Sequence, residues 1–496
     1  MNSESEDITV SVWKHSIPVL YILIFIGAVF RLYNLGRNSL WLDEAATYFY
    51  SLGGFDQIWE NMAAMGDFNP PLFNFLENIM MNIGTTEIAL RLLPALFGIA
   101  AIPIMYLVGK EFKDKYIGII LAGLTTFSPF LIAYSQEARA YSMMFFLGAC
   151  MVLLFLMAMK VNKQTEWFLF AIVSAVAFWT HFYSIVLFIP LVLLAVYKFR
   201  NDWQPIAFSI MAWFAMVLPL SLALYTLIGQ RASSTPTYGF QGVSIILRTF
   251  AEIFWGSFIV FGIGVILLII GIWWTYKENK EMALFLVFVP AVVFFISVIL
   301  STTMPMLPKY IIFINIFVFL GIAMSLPALI SFFYAASSDN LQKRTTRETV
   351  IKLTSIILIS GFVIMAVPFY TTYYQTYTKD NWRGVSFELM NITKPGDVIA
   401  IAPKYAAFPL SYYYSSQLDE TYEIGVNNVT DLEQIKYQSE VLNLTVFYIV
   451  TPDINSHDPS GKSNAWLLEN TVEIGKTSGI SVRVNKNMNI GRGVGI

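Results

Sequence analysis

The chain is 496 residues long, and 56% of its residues are hydrophobic while only 13% are charged. Soluble domains carry about 25% charged residues, so about half of the usual charge is missing. The 31 basic and 33 acidic side chains give a net charge of −2, which excludes a basic nucleic-acid-binding protein and an acidic disordered chain. The 41 Phe, 26 Tyr and 12 Trp exclude low-complexity disorder. These values predict a polytopic α-helical membrane protein.

Apolar stretches of about 15 to 25 residues recur along the chain and predict about eleven membrane-spanning helices. Residues 18–35 are not followed by the small-residue cleavage site of a signal peptide, so we expect a retained first helix. The predicted spans cover approximately residues 18–35, 88–109, 117–134, 141–160, 166–180, 184–197, 205–228, 250–275, 282–301, 310–333 and 352–371.

The distribution of Lys and Arg predicts the orientation of these helices. With a cytoplasmic N-terminus, fourteen Lys and Arg residues fall in the inner loops and five in the short outer loops. Because inner loops carry the excess of positive charge, we expect a multi-pass cell-membrane protein with its N-terminus in the cytoplasm and its C-terminus outside.

Two of the outer regions are long. Residues 36–87 contain apolar stretches at 41–52 and 72–83, which are too short to cross a membrane and are expected to lie along its interface as helices. We assign this loop to a transmembrane domain of residues 1–371. The remaining residues, 372–496, form the second long outer region.

The composition after residue 371 changes to one typical of a folded outer domain. Residues 397–403 and 445–450 predict buried strands. Thr430-Asp431-Leu432-Glu433 predicts a capping box that opens a helix towards Asn443. Alternating strands and helices over about 125 residues predict a small extracytoplasmic α/β domain.

The predicted spans are nearly free of ionisable groups, and Glu252, near the outer end of its helix, is the closest candidate for one. Proton- or ion-coupled transporters usually place carboxylates or His at mid-membrane. Polar groups instead concentrate in the first outer loop and at the outer ends of later helices, which favours a reaction site at the outer surface.

The first such group is the acidic pair Asp43-Glu44, which follows Leu40-Trp41-Leu42 just outside the first helix. A carboxylate in partly apolar surroundings could serve as a general base for an acceptor hydroxyl. The alternative is that the pair only decorates the first turn of an interfacial helix, where the helix dipole favours acids. In the same loop, Asn69-Pro70-Pro71 fixes a rigid turn, with either a functional or a purely structural role.

The second group is Tyr134-Ser135-Gln136-Glu137-Ala138-Arg139-Ala140-Tyr141, between the third and fourth spans. Arg139 has the planar fork that binds a phosphate through two parallel hydrogen bonds, and its alternative role is to reach the lipid headgroups. Weaker candidates are His181, between the fifth and sixth spans, and Lys309-Tyr310, at the start of the tenth. Lys309 could hold a phosphate as a point charge or anchor the end of its helix.

The ordered set of motifs resembles the GT-C membrane glycosyltransferases. The set is the acidic pair, Pro70-Pro71, Arg91-Leu92-Leu93-Pro94, Gln136-Glu137-Ala138-Arg139-Ala140-Tyr141 and Lys309-Tyr310, followed by a C-terminal outer domain. Within this class, the motifs most resemble those of the dolichyl-phosphate-mannose protein mannosyltransferases and of the bacterial aminoarabinose and lipopolysaccharide-core transferases. The resemblance covers approximately residues 18–370.

The resemblance implies an inverting transfer of a sugar from a polyprenyl-phosphate donor to a protein, lipid or glycan acceptor. By position, Asp43 would be the base, and Glu44 would bind the acceptor or orient the loop. Arg139 and Lys309 would face the lipid phosphate, with Glu137 orienting Arg139. An outward-facing site agrees with this donor, because nucleotide sugars stay in the cytoplasm whereas a lipid-linked sugar crosses the membrane.

Two positions depart from the family pattern. Relatives often carry His before the Pro-Pro pair, where this chain has Asn69, which counts against a metal-binding or proton-transfer role at that position. A divalent metal elsewhere in the site is left open. Many carry Arg where this chain has Lys309, which loses bidentate phosphate contact. The remaining alternatives are a lipid or glycan transporter or flippase, and a non-catalytic protein of cell-envelope polysaccharide assembly.

Overall fold

A computed structural model of the chain describes residues 9–12, 15–65, 67, 69–234, 242–302, 306–335, 343–414 and 421–486. Internal contacts divide the chain into two compact units. The first comprises Met1–Tyr33, Gly53–Ile83 and Arg91–Thr372, and the second comprises Asn34–Leu52, Gly84–Leu90 and Tyr373–Ile496. The second unit therefore groups the beginning of the first outer loop with the C-terminal region, whereas the sequence analysis assigned the whole loop to the transmembrane domain.

In the described residues before 376 the chain is mostly helical. Two short strands in this part pair in antiparallel fashion. In chain order its elements are β1 (Thr9–Val12), β2 (His15–Pro18), α1 (Val19–Leu32), α2 (Leu42–Tyr50), α3 (Phe55–Ala64), α4 (Leu72–Met80), α5 (Glu87–Phe112), α6 (Lys115–Phe127), α7 (Pro129–Ser135), α8 (Tyr141–Val161), α9 (Gln164–Thr180), α10 (Ile185–Lys198), α11 (Gln204–Ser234), α12 (Ser244–Ile253), α13 (Phe258–Glu278), α14 (Lys280–Leu300), α15 (Ile314–Ala323), α16 (Ser325–Ala335) and α17 (Lys343–Gln375).

Within the described residues, seven helical segments are long and apolar enough to cross a membrane, or eight if the bent pair α6–α7 counts as one span. Shorter apolar helices run over Val19–Leu32 and Phe182–Lys198. Large apolar side chains face outward on α17, where Ile357 and Ile364 are 68% and 69% exposed. Such surfaces are typical of helices in contact with lipid. The structure thus supports a multi-pass membrane protein, while the count of eleven spans and the orientation stay predictions.

Two predicted spans differ from the structure. The span predicted at 250–275 begins only at Phe258, because Trp255 and Gly256 adopt positive φ angles of 43° and 72° and separate α12 from α13. Glu252 therefore lies on α12 and not on a spanning helix. The span predicted at 117–134 is bent by 58° between α6 and α7. Proline at position 129 has no N–H and starts the new helix there.

The C-terminal region of the second unit is an α/β fold. The sheet order is β4-β3-β5-β7-β6, with β3 parallel to β4 and β5 and with β7 antiparallel to β5 and β6. The elements are α18 (Trp382–Ile392), β3 (Val398–Ala402), α19 (Ala407–Tyr414), β4 (Tyr422–Gly425), α20 (Val429–Leu442), β5 (Val446–Val450), α21 (Ile454–His457), α22 (Lys462–Asn470), β6 (Thr471–Thr477) and β7 (Ile480–Asn485).

Each face of this sheet carries its own core. Ile399 and Phe447 belong to a cluster with α18 and α19, whereas Val398 and Val446 belong to a cluster with α20 and α22. The two predicted strands are confirmed, and all residues of β3 and β5 are buried. The predicted capping box is wrong by two residues: Asn428 is the N-cap, and Asp431 accepts its backbone N–H.

Close helix contact in the first unit depends on glycine at one crossing. Gly271 of α13 lies against α15, and a Cβ there would collide with the carbonyl oxygen of Gly321. Gly262 lies on the same helix, and a Cβ there would meet no heavy atom within 4 Å. Small residues let helix backbones approach closely, which favours association in a membrane.

We expect Gly271→Ala to push α13 away from α15 and to destabilise the protein by about 1–3 kcal/mol, the usual range for overpacking. The thermal midpoint of the purified protein in detergent should fall. Gly262→Ala is the matched control on the same helix and should leave the midpoint unchanged. Equal midpoints for the two variants would contradict the close crossing.

Candidate functional site

The link between α7 and α8 carries the Glu137 and Arg139 side chains. It is tightly folded, because the backbone N–H of Arg139 donates to the carbonyl oxygen of Glu137 at 2.7 Å. Glu137 is 7% exposed and Tyr141, the first residue of α8, is 1% exposed, whereas Arg139 is half-buried. The link therefore places charged groups in largely buried surroundings at the end of a bent span.

Four of the predicted residues lie around the ring of a fifth, Tyr141, and we call the five the Tyr141 cluster: Arg139, Tyr141, His181, Lys309 and Tyr310. The Nζ atom of Lys309 lies 4.9 Å from the centre of the Tyr141 ring, and Cζ of Arg139 lies 6.0 Å from it. The His181 and Tyr310 rings lie 6.2 and 6.1 Å from that of Tyr141. Both cations therefore lie within the distance of a cation–π interaction with the ring of one buried tyrosine.

His181 is placed by the break between α9 and the following 3-10 turn, Phe182–Ser184, where its Nδ1 accepts the N–H of Tyr183 at 3.4 Å. The side chain is buried. Burial, followed by the positive charges of Arg139 and Lys309, lowers the pKa of His181 from 6.5 to about 3. His181 is therefore neutral at physiological pH, and the positive charges of Arg139 and Lys309 act on its ring.

A carboxyl group from a different helix acts on the same region. Burial raises the pKa of Glu252 on α12, and the charges of Arg248 and Lys309 oppose that rise. Glu252 thus lies within electrostatic reach of Lys309. Glu252 was not predicted at this site, because its position in the sequence falls within a predicted membrane span.

The bend that precedes the cluster is held by a fully buried arginine. Arg31 of α1 donates to the carbonyl oxygens of Thr125 at 2.8 Å and Thr126 at 3.2 Å, at the end of α6. The last carbonyl groups of a helix have no intrahelical donor, so the guanidinium satisfies them where α6 stops. Arg31 therefore stabilises the break from which α7 leads to Arg139.

Gln136 connects the same link to the end of α1. Its Nε2 lies 3.2, 3.1 and 2.9 Å from the carbonyl oxygens of Phe30, Arg31 and Tyr33. One amide thus donates to the carbonyl groups at one helix end, while the backbone beside it carries Glu137. The motif that includes Gln136 was recognised from the sequence, but this capping role was not.

The turn at Asn69 and Pro71 is held locally. Asp67 accepts both the backbone N–H of Asn69, at 2.9 Å, and its side-chain amide, at 2.6 Å. Pro71 is the N-cap of α4. These contacts describe a turn that starts a helix, and a functional role for Asn69 and Pro71 stays a prediction.

The acidic pair lies in the second unit, in the first turn of α2. The two carboxylates differ: Asp43 is half-buried, whereas the Glu44 side chain is 0% exposed and lies 3.0 Å from Nζ of Lys379. The Glu44 carboxylate is thus paired with Lys379, and its two predicted roles stay predictions. Lys379 was missed because it is 335 residues away in the sequence.

Within the described residues, no three His, Cys, Asp or Glu side chains are arranged to hold a metal ion. The divalent metal that the resemblance left open stays a prediction. We assign no step to a metal.

The sequence of residues 69–228 matches the model of a protein family described as dolichyl-phosphate-mannose-protein mannosyltransferase. The match includes the turn at Asn69, the bent span and the link with Glu137 and Arg139. No curated protein sequence is similar enough to this chain to count as a match.

Solved structures with a similar fold include two of ArnT from Cupriavidus metallidurans. For the apo form the TM-score is 0.59 and the sequence identity is 12%, and the match covers 94% of this chain and 98% of the ArnT chain. The form bound to undecaprenyl phosphate has a TM-score of 0.57 at 12% identity, with coverage of 95% and 98%.

A third similar structure is the archaeal oligosaccharyltransferase AglB from Archaeoglobus fulgidus, in complex with an inhibitory peptide and a dolichol-phosphate. Its TM-score is 0.55 at 12% identity, and it covers 95% of this chain and 74% of that one. At such identities the likeness is one of fold. Together with the family match, it confirms the resemblance to the GT-C glycosyltransferases.

The lowered pKa of His181 predicts how stability depends on pH. The unfolded chain binds a proton at His181 below pH 6.5, but the folded chain does not do so until about pH 3. The free energy of unfolding must therefore fall as the pH decreases from about 6.5 towards 3. In His181→Asn this loss should be smaller, measured as the thermal midpoint in detergent at pH 7 and pH 4.

His457→Asn, at an exposed histidine of the second unit, is the matched control and should behave like the wild type. If His181→Asn lost as much stability on acidification as the wild type, a neutral buried His181 would be wrong.

Proposed function

We propose that this protein is a membrane glycosyltransferase that transfers a sugar from a polyprenyl-phosphate-linked donor to a protein, lipid or glycan acceptor. The observation that carries the proposal is the meeting of Arg139 and Lys309 at the ring of Tyr141. The GT-C fold and the match to the mannosyltransferase family support the same reaction class.

The donor phosphate is the proposed ligand of the two cations. The guanidinium of Arg139 can donate two parallel hydrogen bonds to phosphate oxygens, and Lys309 adds a point charge. Their positive charges already help to keep His181 neutral, as expected where an anion is to be bound. A site among helices also suits a donor with a long isoprenoid tail. Two of the similar structures named above contain undecaprenyl phosphate and dolichol-phosphate, which belong to the same chemical class.

In the proposed reaction, Asp43 removes a proton from an acceptor hydroxyl or amine. The acceptor atom then attacks the anomeric carbon from the side opposite the phosphate, so the configuration inverts. The bond between the anomeric carbon and the phosphate oxygen breaks, and its electron pair leaves with the polyprenyl phosphate. Arg139 and Lys309 stabilise the charge that develops on this leaving group.

The proposed location is the outer face of the membrane. The excess of Lys and Arg in the loops on the other side supports it. A lipid-linked donor supplies sugar to that face, where nucleotide sugars are absent. A mannosyl donor is the first choice for testing, since the matched family is described by that sugar.

We expect Asp43→Asn to reduce transfer by about 10²–10⁴-fold, the usual contribution of a general base. The purified protein in lipid nanodiscs would receive radiolabelled polyprenyl-phosphate mannose, with other polyprenyl-phosphate sugars in parallel, and a membrane extract of acceptors. Asp56→Asn, at an exposed aspartate on α3 in the same predicted outer loop, is the matched control and should retain full transfer. Equal transfer by Asp43→Asn and the wild type would remove Asp43 as the base.

A further inference from the structure

The segment before the acidic pair runs alongside the beginning of the C-terminal region, within the second unit. Asn38 and Thr378 form two hydrogen bonds, at 3.2 and 3.1 Å. The Ser39 hydroxyl donates to the carbonyl oxygen of Asp380 at 2.6 Å and accepts the N–H of Trp382 at 3.0 Å. Residues 38–39 are therefore fixed to residues 378–382 by bonds that involve the backbone.

A buried ion pair continues this connection into α2. The Glu44 carboxylate is 0% exposed and lies 3.0 Å from Nζ of Lys379, whose side chain is 17% exposed. The same oxygen of Glu44 accepts the N–H of Trp41 at 3.4 Å, and Lys379 lies 5.7 Å from the centre of the Trp41 ring. An ion pair out of solvent is little screened, so it holds its partners more firmly than a surface pair does.

The C-terminal half of α2 packs against α19 of the same unit. The rings of Tyr48 and Tyr412 lie 4.9 Å apart, and Phe49 and Phe408 lie 5.9 Å apart. Before the helix, the N–H of Leu40 donates to the Tyr413 hydroxyl at 2.7 Å. Aromatic contacts fix the end of α2, while the ion pair fixes its first turn.

These contacts restrain the turn of α2 that carries Asp43. Asp43 immediately precedes Glu44 in the first turn of α2. With Glu44 held by Lys379, rotation or fraying of that turn is restrained, and so is the position of the Asp43 carboxyl group. A displacement of about 1 Å at a reacting group can cost about 10²-fold in rate.

We infer that Lys379 is a positioning residue for Asp43, and that the C-terminal region serves the reaction by fixing the helix that carries the base. This inference rests on the proposed function, in which Asp43 takes the proton from the acceptor. Lys379 acts through Glu44 and does not itself contact the reacting atoms.

The test compares Lys379→Met, Lys379→Arg and Glu44→Gln with the wild type in the nanodisc transfer assay. Lys379→Met should lower kcat by about 10–10²-fold and leave KM for the donor unchanged, because only the position of the base is disturbed. Lys379→Arg keeps the charge and should recover kcat to within about threefold. Lys462→Met, at an exposed lysine of the same unit, is the matched control and should equal the wild type.

Glu44→Gln combined with Lys379→Met should be no slower than the slower of the two single variants, because both remove the same interaction. Wild-type kcat in Lys379→Met, together with an inactive Asp43→Asn, would overturn the positioning role and leave the proposed function intact. Full activity in Asp43→Asn would overturn the proposed function itself. A parallel loss of kcat and donor affinity in Lys379→Met, without recovery in Lys379→Arg, would show general loss of structure and also overturn the inference.

Discussion

The placement of two cations beside one buried tyrosine is the constraint on which the proposed function depends. Only 13% of the residues are charged, yet Arg139 and Lys309 lie 6.0 and 4.9 Å from the same ring. Charges out of water are costly unless other groups compensate them, so proteins rarely concentrate them at a membrane without a function. Their combined field, added to burial, keeps His181 neutral. A phosphate on a lipid carrier is the ligand whose charge and attachment suit such a place.

The position of Arg139 depends on side chains that hydrogen-bond to the carbonyl groups at two helix ends. A chain that stops a helix near a membrane leaves backbone carbonyls without donors, and these must be satisfied by protein. Arg31 serves the end of α6, and Gln136 serves the end of α1. In the second unit, Lys379 gives the helix of Asp43 a comparable support. In each case a polar side chain holds a segment close to a residue of the proposed reaction, so precision there comes from contacts outside the reacting groups.

Much of this could be predicted from local patterns. Long apolar runs predicted most of the helices, and two short apolar stretches predicted β3 and β5. The motif around Arg139 indicated the fold. The remainder depended on distant contacts. Arg31 lies near the end of an apolar run, where an arginine usually reaches the lipid headgroups, and its true partners are about 95 residues away. Glu44 and Lys379 are separated still further. Glu252 was assigned to a membrane span because it lies in a continuous apolar stretch of sequence. Hydropathy does not reveal the turn before α13 that interrupts this stretch.

The most direct test of the central claim is binding of a sugar-free lipid phosphate. The purified protein would be titrated with undecaprenyl phosphate in nanodiscs, and bound lipid would be measured by native mass spectrometry. The account predicts that Lys309→Met weakens binding by about tenfold or more, the effect of losing one charge-assisted contact. Lys280→Met, at an exposed lysine 5.7 Å from the ring centre of Tyr276, should bind as the wild type does. Equal affinity for Lys309→Met and the wild type would contradict the claim that this cluster holds the phosphate.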